Sequence, residues 1–164
     1  MTRTLRRPLA WATGVLVLGL APSGALAISQ TGQVSVGLLT LITAFEDNAM
    51  SFGTITPPVA GGKVVLSTGG TITPAAGFFF AGTPAAGVFT AHSIANFPAA
   101  VSFSTGDTVN GPGTPMALGT FTNNAAANFD GSGNLTFKVG ATLTVNANQA
   151  PGSYAGTYTV TVNF

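Results

Sequence analysis

The sequence predicts an all-β chain folded as an antiparallel sandwich, and three observations carry that expectation. First, Leu135 to Ala147 alternates without a break. Leu135, Phe137, Val139, Ala141, Leu143, Val145 and Ala147 are apolar, while Thr136, Lys138, Gly140, Thr142, Thr144 and Asn146 between them are small or polar. A period of two marks a strand with one buried face and one wet face. Second, the rest of the chain breaks into short runs rich in Thr and Val, separated by Gly, Pro, Asn and Asp, which is the spacing of a sandwich. Third, from Ile28 onward no apolar run recurs at helical spacing, and the alanines stand beside Gly and Pro, where helices neither start nor persist.

In chain order, residues 1–27 read as a secretory signal. Arg3, Arg6 and Arg7 form a basic start, Leu9 to Ala21 an apolar run, and Ala25-Leu26-Ala27 a cleavage site of the A-x-A kind. Pro22 and Gly24 break the run too early for it to span a bilayer, and no later segment is a candidate transmembrane helix. The exported chain is expected to begin at Ile28, to form a single domain over residues 28–164, and to pass through the periplasm to the cell surface or beyond.

Strands are expected at Ile28–Gly37, Leu38–Phe45, Met50–Ile55, Lys63–Ser67, Thr71–Thr73, Val88–Ala91, Ala100–Ser104 and Met116–Thr122. Glu46-Asp47-Asn48, Thr68-Gly69-Gly70 and Asn110-Gly111-Pro112-Gly113 read as breaks or turns, and Pro74 to Gly87 as a loop. Ala150-Pro151-Gly152-Ser153 reads as another turn. After it, alternation resumes with Tyr158, Val160, Val162 and Phe164 on one side and Thr157, Thr159, Thr161 and Asn163 on the other. The expectation is an antiparallel hairpin in which this last strand folds back on the strand Leu135–Ala147.

Charge narrows the function. Downstream of the signal the chain keeps Lys63 and Lys138 against Glu46, Asp47, Asp107 and Asp130, a net charge of about −2. Two lysines cannot neutralise many phosphates, so nucleic acid is not an expected partner. There is no cysteine, hence no disulfide, and the core must stabilise the domain alone.

Two stretches carry a family resemblance: Phe52-Gly53-Thr54-Ile55 after an early strand, and Val139 to Phe164, VGATLTVNANQAPGSYAGTYTVTVNF. With these the chain resembles the secreted bacterial family catalogued as domain of unknown function 4402, whose members resemble subunits of chaperone–usher fimbriae and the spore coat protein U-like pilins. The likeness spans nearly all of the chain after the signal. It implies an immunoglobulin-like, pilin-like sandwich and a fimbrial or surface role, and supplies no catalytic residue. Where such tails commonly end in tyrosine, this one ends in Phe164.

The inventory for catalysis is thin. Nucleophilic catalysis needs a base beside a Ser, Thr or Cys, and His92 is the only histidine. It reads as a polar residue at a strand end. Glu46 and Asp47 are adjacent and followed by Asn48, so they read as a solvated turn rather than a catalytic pair. Asp130-Gly131-Ser132-Gly133-Asn134 has the look of an oxygen-ligand loop, but it holds one carboxylate where calcium takes six to eight oxygens. It reads as the loop that delivers the chain into Leu135. Phe78-Phe79-Phe80 cannot all face one side of a strand, so one or two are expected in the core. No enzyme activity, cofactor, metal or small-molecule substrate is expected.

The function the residues point to is a structural fibre subunit assembled by strand addition to an open sheet edge. The donor would be the amino-terminal arm, whose even positions Ile28, Gly32, Val34, Val36 and Leu38 share one face when extended, with Gln30 at the rim. The C-terminal strand, with Tyr158, Val160, Val162 and Phe164, is the second assembly element. Self-assembly and a periplasmic chaperone are the expected partners. Alternatives are a self-contained surface or adhesin domain and a small outer-membrane barrel. A barrel needs eight or more strands alternating over about nine to eleven residues, and only the two terminal strands alternate convincingly.

Overall fold

A computed structural model describes residues 42–163. The arm Ile28–Leu38, the signal and Phe164 lie outside the described residues. Over the described residues the chain is all-β, with antiparallel pairing throughout and no helix.

The longest strand, β10 (Asn134–Val145), organises the rest. Leu135, Phe137, Val139, Ala141, Leu143 and Val145 are all buried, as alternation requires. Its first half pairs with β6 (Gly87–His92), and its second half with β3 (Gly62–Leu66) and β9 (Met116–Asn123). Beyond β6 lies β1 (Thr43–Asn48), beyond β3 lies β4 (Ile72–Pro74), and beyond β9 lies β8 (Thr108–Val109), giving a seven-stranded sheet. Two smaller pairs stand apart: β2 (Thr54–Thr56) with β5 (Phe79–Ala81), and β7 (Ala100–Phe103) with β11 (Val160–Asn163).

The buried row of β10 supports two apolar clusters. Leu143 and Val145 pack with Val64, Phe78 and Met116, and Phe52, Ile55 and Tyr154 close that cluster from its edge. Leu135, Phe137 and Val139 pack with Ala91 and Phe129, and receive Val101 and Phe103 from β7 and Val160 and Val162 from β11. Each fully buried Val, Leu or Phe contributes about 1.5–3 kcal/mol of transfer free energy, and no other strand supplies as many buried side chains as β10 does.

Turn chemistry sets the β3–β4 hairpin. Gly70 takes a positive φ of 79°, its N–H donates to the Ser67 carbonyl, and the Ser67 hydroxyl accepts from the Thr71 N–H at 3.1 Å.

Three expectations change. Glu46 to Asn48 does not break the first strand: it lies inside β1 and pairs with β6 through a bulge at Asp47. The Pro74–Gly87 loop contains β5, because Phe79 to Ala81 finds a partner in Thr54 to Thr56. The last strand pairs with β7 and not with β10.

Candidate functional site

The terminal segment was expected to turn at Pro151 and return along β10. Instead, residues 146–159 cross the molecule and run antiparallel to the stretch that ends in Gly113. Ala155 and Asn110 exchange two main-chain hydrogen bonds at 2.7 and 2.9 Å, the Ser104 N–H donates to the Thr159 carbonyl at 3.0 Å, and β11 continues beside β7 from Val160 opposite Phe103.

A tyrosine fixes the crossing. The Tyr154 hydroxyl donates to the Ala150 carbonyl at 2.8 Å and accepts from the Gly113 N–H at 2.9 Å and from Gln149 Nε2 at 2.7 Å. Gln149 Nε2 also reaches the Thr114 carbonyl, and Asn146 Nδ2 reaches the Pro115 carbonyl and Gln149 Oε1. Gly111 and Gly113 lie under the ring, where a Cβ would overlap its atoms. Asn146, Gln149 and Tyr154 thus act as one clamp holding two long connections together.

Tyr158 begins the second contact. Its ring stacks on Phe121 (5.1 Å between centroids) and meets Phe89 edge-on (6.0 Å). Phe121 in turn stacks on Phe103 and Phe89 on Phe137, so five rings run from β7 to β10. Phe121 reaches this row because of a bulge. Thr122 faces Gly140 and Gly119 faces Thr142, leaving Thr120 and Phe121 opposite Ala141. Thr120 takes a φ of +48°, a costly conformation for a β-branched residue. The extra residue switches the inward side of β9 from even positions, Met116 and Leu118, to odd, Phe121. Nothing in the local sequence marks this switch beyond Gly119.

The Tyr158 hydroxyl is buried and has no hydrogen-bond partner among the described residues. Burial, with the Glu46 charge as a second cause, pushes its pKa up to about 12. Of the predicted C-terminal assembly residues, Tyr158, Val160 and Val162 share one half-buried face against the cluster, while Thr159, Thr161 and Asn163 face outward. Phe164 and the donor residues Ile28, Gly32, Val34, Val36 and Leu38 lie outside the described residues.

The edge of β11 opposite β7 has no main-chain partner among the described residues. The edges of the larger sheet and of the β2–β5 pair are blunted. β1 carries Glu46, Asp47 and a bulge, β4 ends in Pro74, and β2, β5 and β8 are two or three residues long. These are the devices that keep edges from pairing. β11, Val-Thr-Val-Asn, and its partner β7, Ala-Val-Ser-Phe, carry no charge, proline or bulge.

The remaining candidates are structural in their surroundings. His92 ends β6, exposed, with its ring edge-on to Phe45 at 6.4 Å. Asp47 accepts from the Thr90 hydroxyl at 2.7 Å, and Thr90 in turn meets the Thr136 hydroxyl at 3.1 Å. Asp130 accepts through one carboxylate oxygen from the N–H groups of Ser132 and Asn134, both at 2.8 Å, and these bonds hold its pKa below the usual value. That loop delivers the chain into β10. Phe78 is buried in the first cluster, while Phe79 beside it is 74% exposed. Among the described residues no three acidic or histidine side chains gather as a metal site would require, and no helix is long and apolar enough to cross a membrane.

Comparison with known proteins gives one match. A family model described as a domain of unknown function (DUF4402) matches residues 42–164. No curated protein and no solved structure matches the chain.

Proposed function

Since the chain belongs to the family of domain of unknown function 4402, we propose that it is a non-catalytic subunit of a surface fibre, folded as an immunoglobulin-like sandwich and assembled by strand exchange. The single observation that carries this reading is the open edge of β11. β11 and its partner β7 each have a single strand neighbour among the described residues and carry none of the charges, prolines or bulges that blunt β1 and β4. The packing of β7 and β11 over the β6–β10 cluster supports the sandwich.

In this reading the arm Ile28–Leu38 of one subunit lies beside β11 of the next, adding main-chain bonds and apolar side chains. Val34, Val36 and Leu38 would extend the face formed by Tyr158, Val160 and Val162. A periplasmic chaperone would cover the edge until assembly, and the signal at residues 1–27 would deliver the chain to it.

Deleting Ile28–Val36 tests the reading. The expected product is a folded, chaperone-bound monomer that forms no fibres by electron microscopy. A deleted protein that does not fold, or a full-length protein that stays a stable monomer, would give the role to a self-contained surface domain instead.

A further inference from the structure

We propose that the cleft at the junction of β3 and β6 binds a small carboxylate ligand, an acidic monosaccharide unit. The cleft follows from how β10 is flanked. Lys138 turns its main chain toward the β9 side: its N–H donates to Asn124 Oδ1 at 2.7 Å and its carbonyl accepts from the Asn124 N–H at 3.3 Å. Its partner in β6, Val88, therefore lies across the opposite edge. Leu143 and Thr144 pair with both β3 and β9, which puts β3 on that opposite edge too. Two strands thus share one edge end to end. β3 leaves at Leu66, opposite Ala141, and β6 begins at Gly87, opposite Val139. Between them stands Gly140, where a Cβ would collide with the Leu66 carbonyl. The chain leaves β3 through Thr68–Gly70 and enters β6 through Pro84–Ala86. The gap between these passages is a cleft of about 450 Å³, within the size range of small-molecule sites.

Its chemistry selects an anion. Lys138, one of two lysines in the sequence, lines the cleft, and its ammonium makes no ion pair among the described residues. None of the four carboxylates lines it, and Asp47, next to the lining Asn48, is engaged by Thr90. The main-chain N–H groups of Thr68 and Gly69 and the Asn48 carboxamide have no hydrogen-bond partner among the described residues. A cation and N–H groups without a protein partner thus share the lining of one cleft, the two kinds of group that a carboxylate draws on. The surrounding hydroxyl, amide and main-chain groups suit a ligand that carries its own hydroxyls, as a uronic acid does. No aromatic ring lines the cleft to stack on a neutral sugar face.

Calorimetric titration of the exported full-length protein with glucuronate, acetate and glucose tests this. Glucuronate is expected to saturate one site with Kd on the order of millimolar, acetate to bind at least tenfold more weakly, and glucose not to bind. Lys138→Gln should weaken glucuronate at least tenfold, while Lys63→Gln, outside the cleft, should leave it unchanged. No saturable glucuronate binding, equal binding by Lys138→Gln, or glucose binding as tightly as glucuronate would overturn the site. Acetate matching glucuronate would overturn the saccharide assignment.

Discussion

The Tyr158 hydroxyl lies so close over Gly87 that a Cβ at position 87 would overlap it. This places the segment that leads into β11 directly on the first residue of β6, and couples the last element of the described chain to the larger sheet. Gly87→Ala should therefore push Tyr158 off the cluster and destabilise by about 1–3 kcal/mol, the usual cost of overpacking. Denaturant unfolding should show the loss, and Gly87→Ala combined with Tyr158→Phe should recover part of it.

The two tyrosines should respond oppositely to one substitution. Tyr154→Phe removes three hydrogen bonds and leaves the Gly113 N–H without its partner, so it should cost about 1–3 kcal/mol. Tyr158→Phe removes a buried hydroxyl that has no partner among the described residues, so it should be neutral or stabilising by about 1 kcal/mol. Thermal midpoints of the two variants, measured side by side, check the sign of each.

Tyr158 also predicts a pH dependence. Its pKa is about 12 in the folded chain against 10.0 as the ordinary value. A group whose folded pKa is raised contributes stability that is present below the unfolded pKa and lost as pH rises through the folded one. Stability should fall between about pH 10 and 12, and Tyr158→Phe should remove that part of the fall.

Asp130 gives the opposite sign. Its carboxylate is held below the ordinary value of 3.8 by the Ser132 and Asn134 N–H groups. Its contribution is present above the unfolded pKa and lost as pH falls through the folded one. Asp130→Ala should lower the unfolding midpoint at neutral pH and flatten its acid limb, and Asp130→Asn, which keeps one acceptor oxygen, should lower it less.

Much of this was written locally and could be read. The alternation of β10 and the Gly-rich β3–β4 turn depend only on neighbours in sequence, and both stand as expected. What could not be read was non-local. Val160 and Val162 alternate just as well against β10 as against β7, but β3 and β9 occupy both edges of the second half of β10, and the Tyr154 clamp ties residues 146–154 to 110–115 instead. Strict alternation from Met116 would turn Phe121 outward, and Thr120, the residue that shifts its parity, carries no turn signal of its own. Glu46 and Asp47 resembled a solvated turn because a bulged edge strand exposed on both faces has the composition of one. The open edge of β11 was invisible for the same reason: an edge is defined by which strands are absent beside it.

Val162 distinguishes the two faces of that edge strand. Val162→Asp should markedly destabilise the fold or lower export, because a carboxylate without a partner set against the half-buried apolar cluster is costly to desolvate, and a domain's whole stability is about 5–15 kcal/mol. Thr161→Asp, on the exposed face, should be exported and folded.

Strand exchange itself is tested most directly by a cross-link, which the chain's lack of cysteine makes clean. Odd positions of the arm, such as Ser35, share the outward face with Thr161 if Val34 and Val36 point to the cluster. Ser35→Cys with Thr161→Cys, and the neighbouring registers Gln33→Cys and Gly37→Cys, should oxidise to a ladder of covalent multimers on a non-reducing gel. An internally cross-linked monomer that runs fast at every register, with no ladder, would contradict the account and make the arm an ordinary strand of its own sheet.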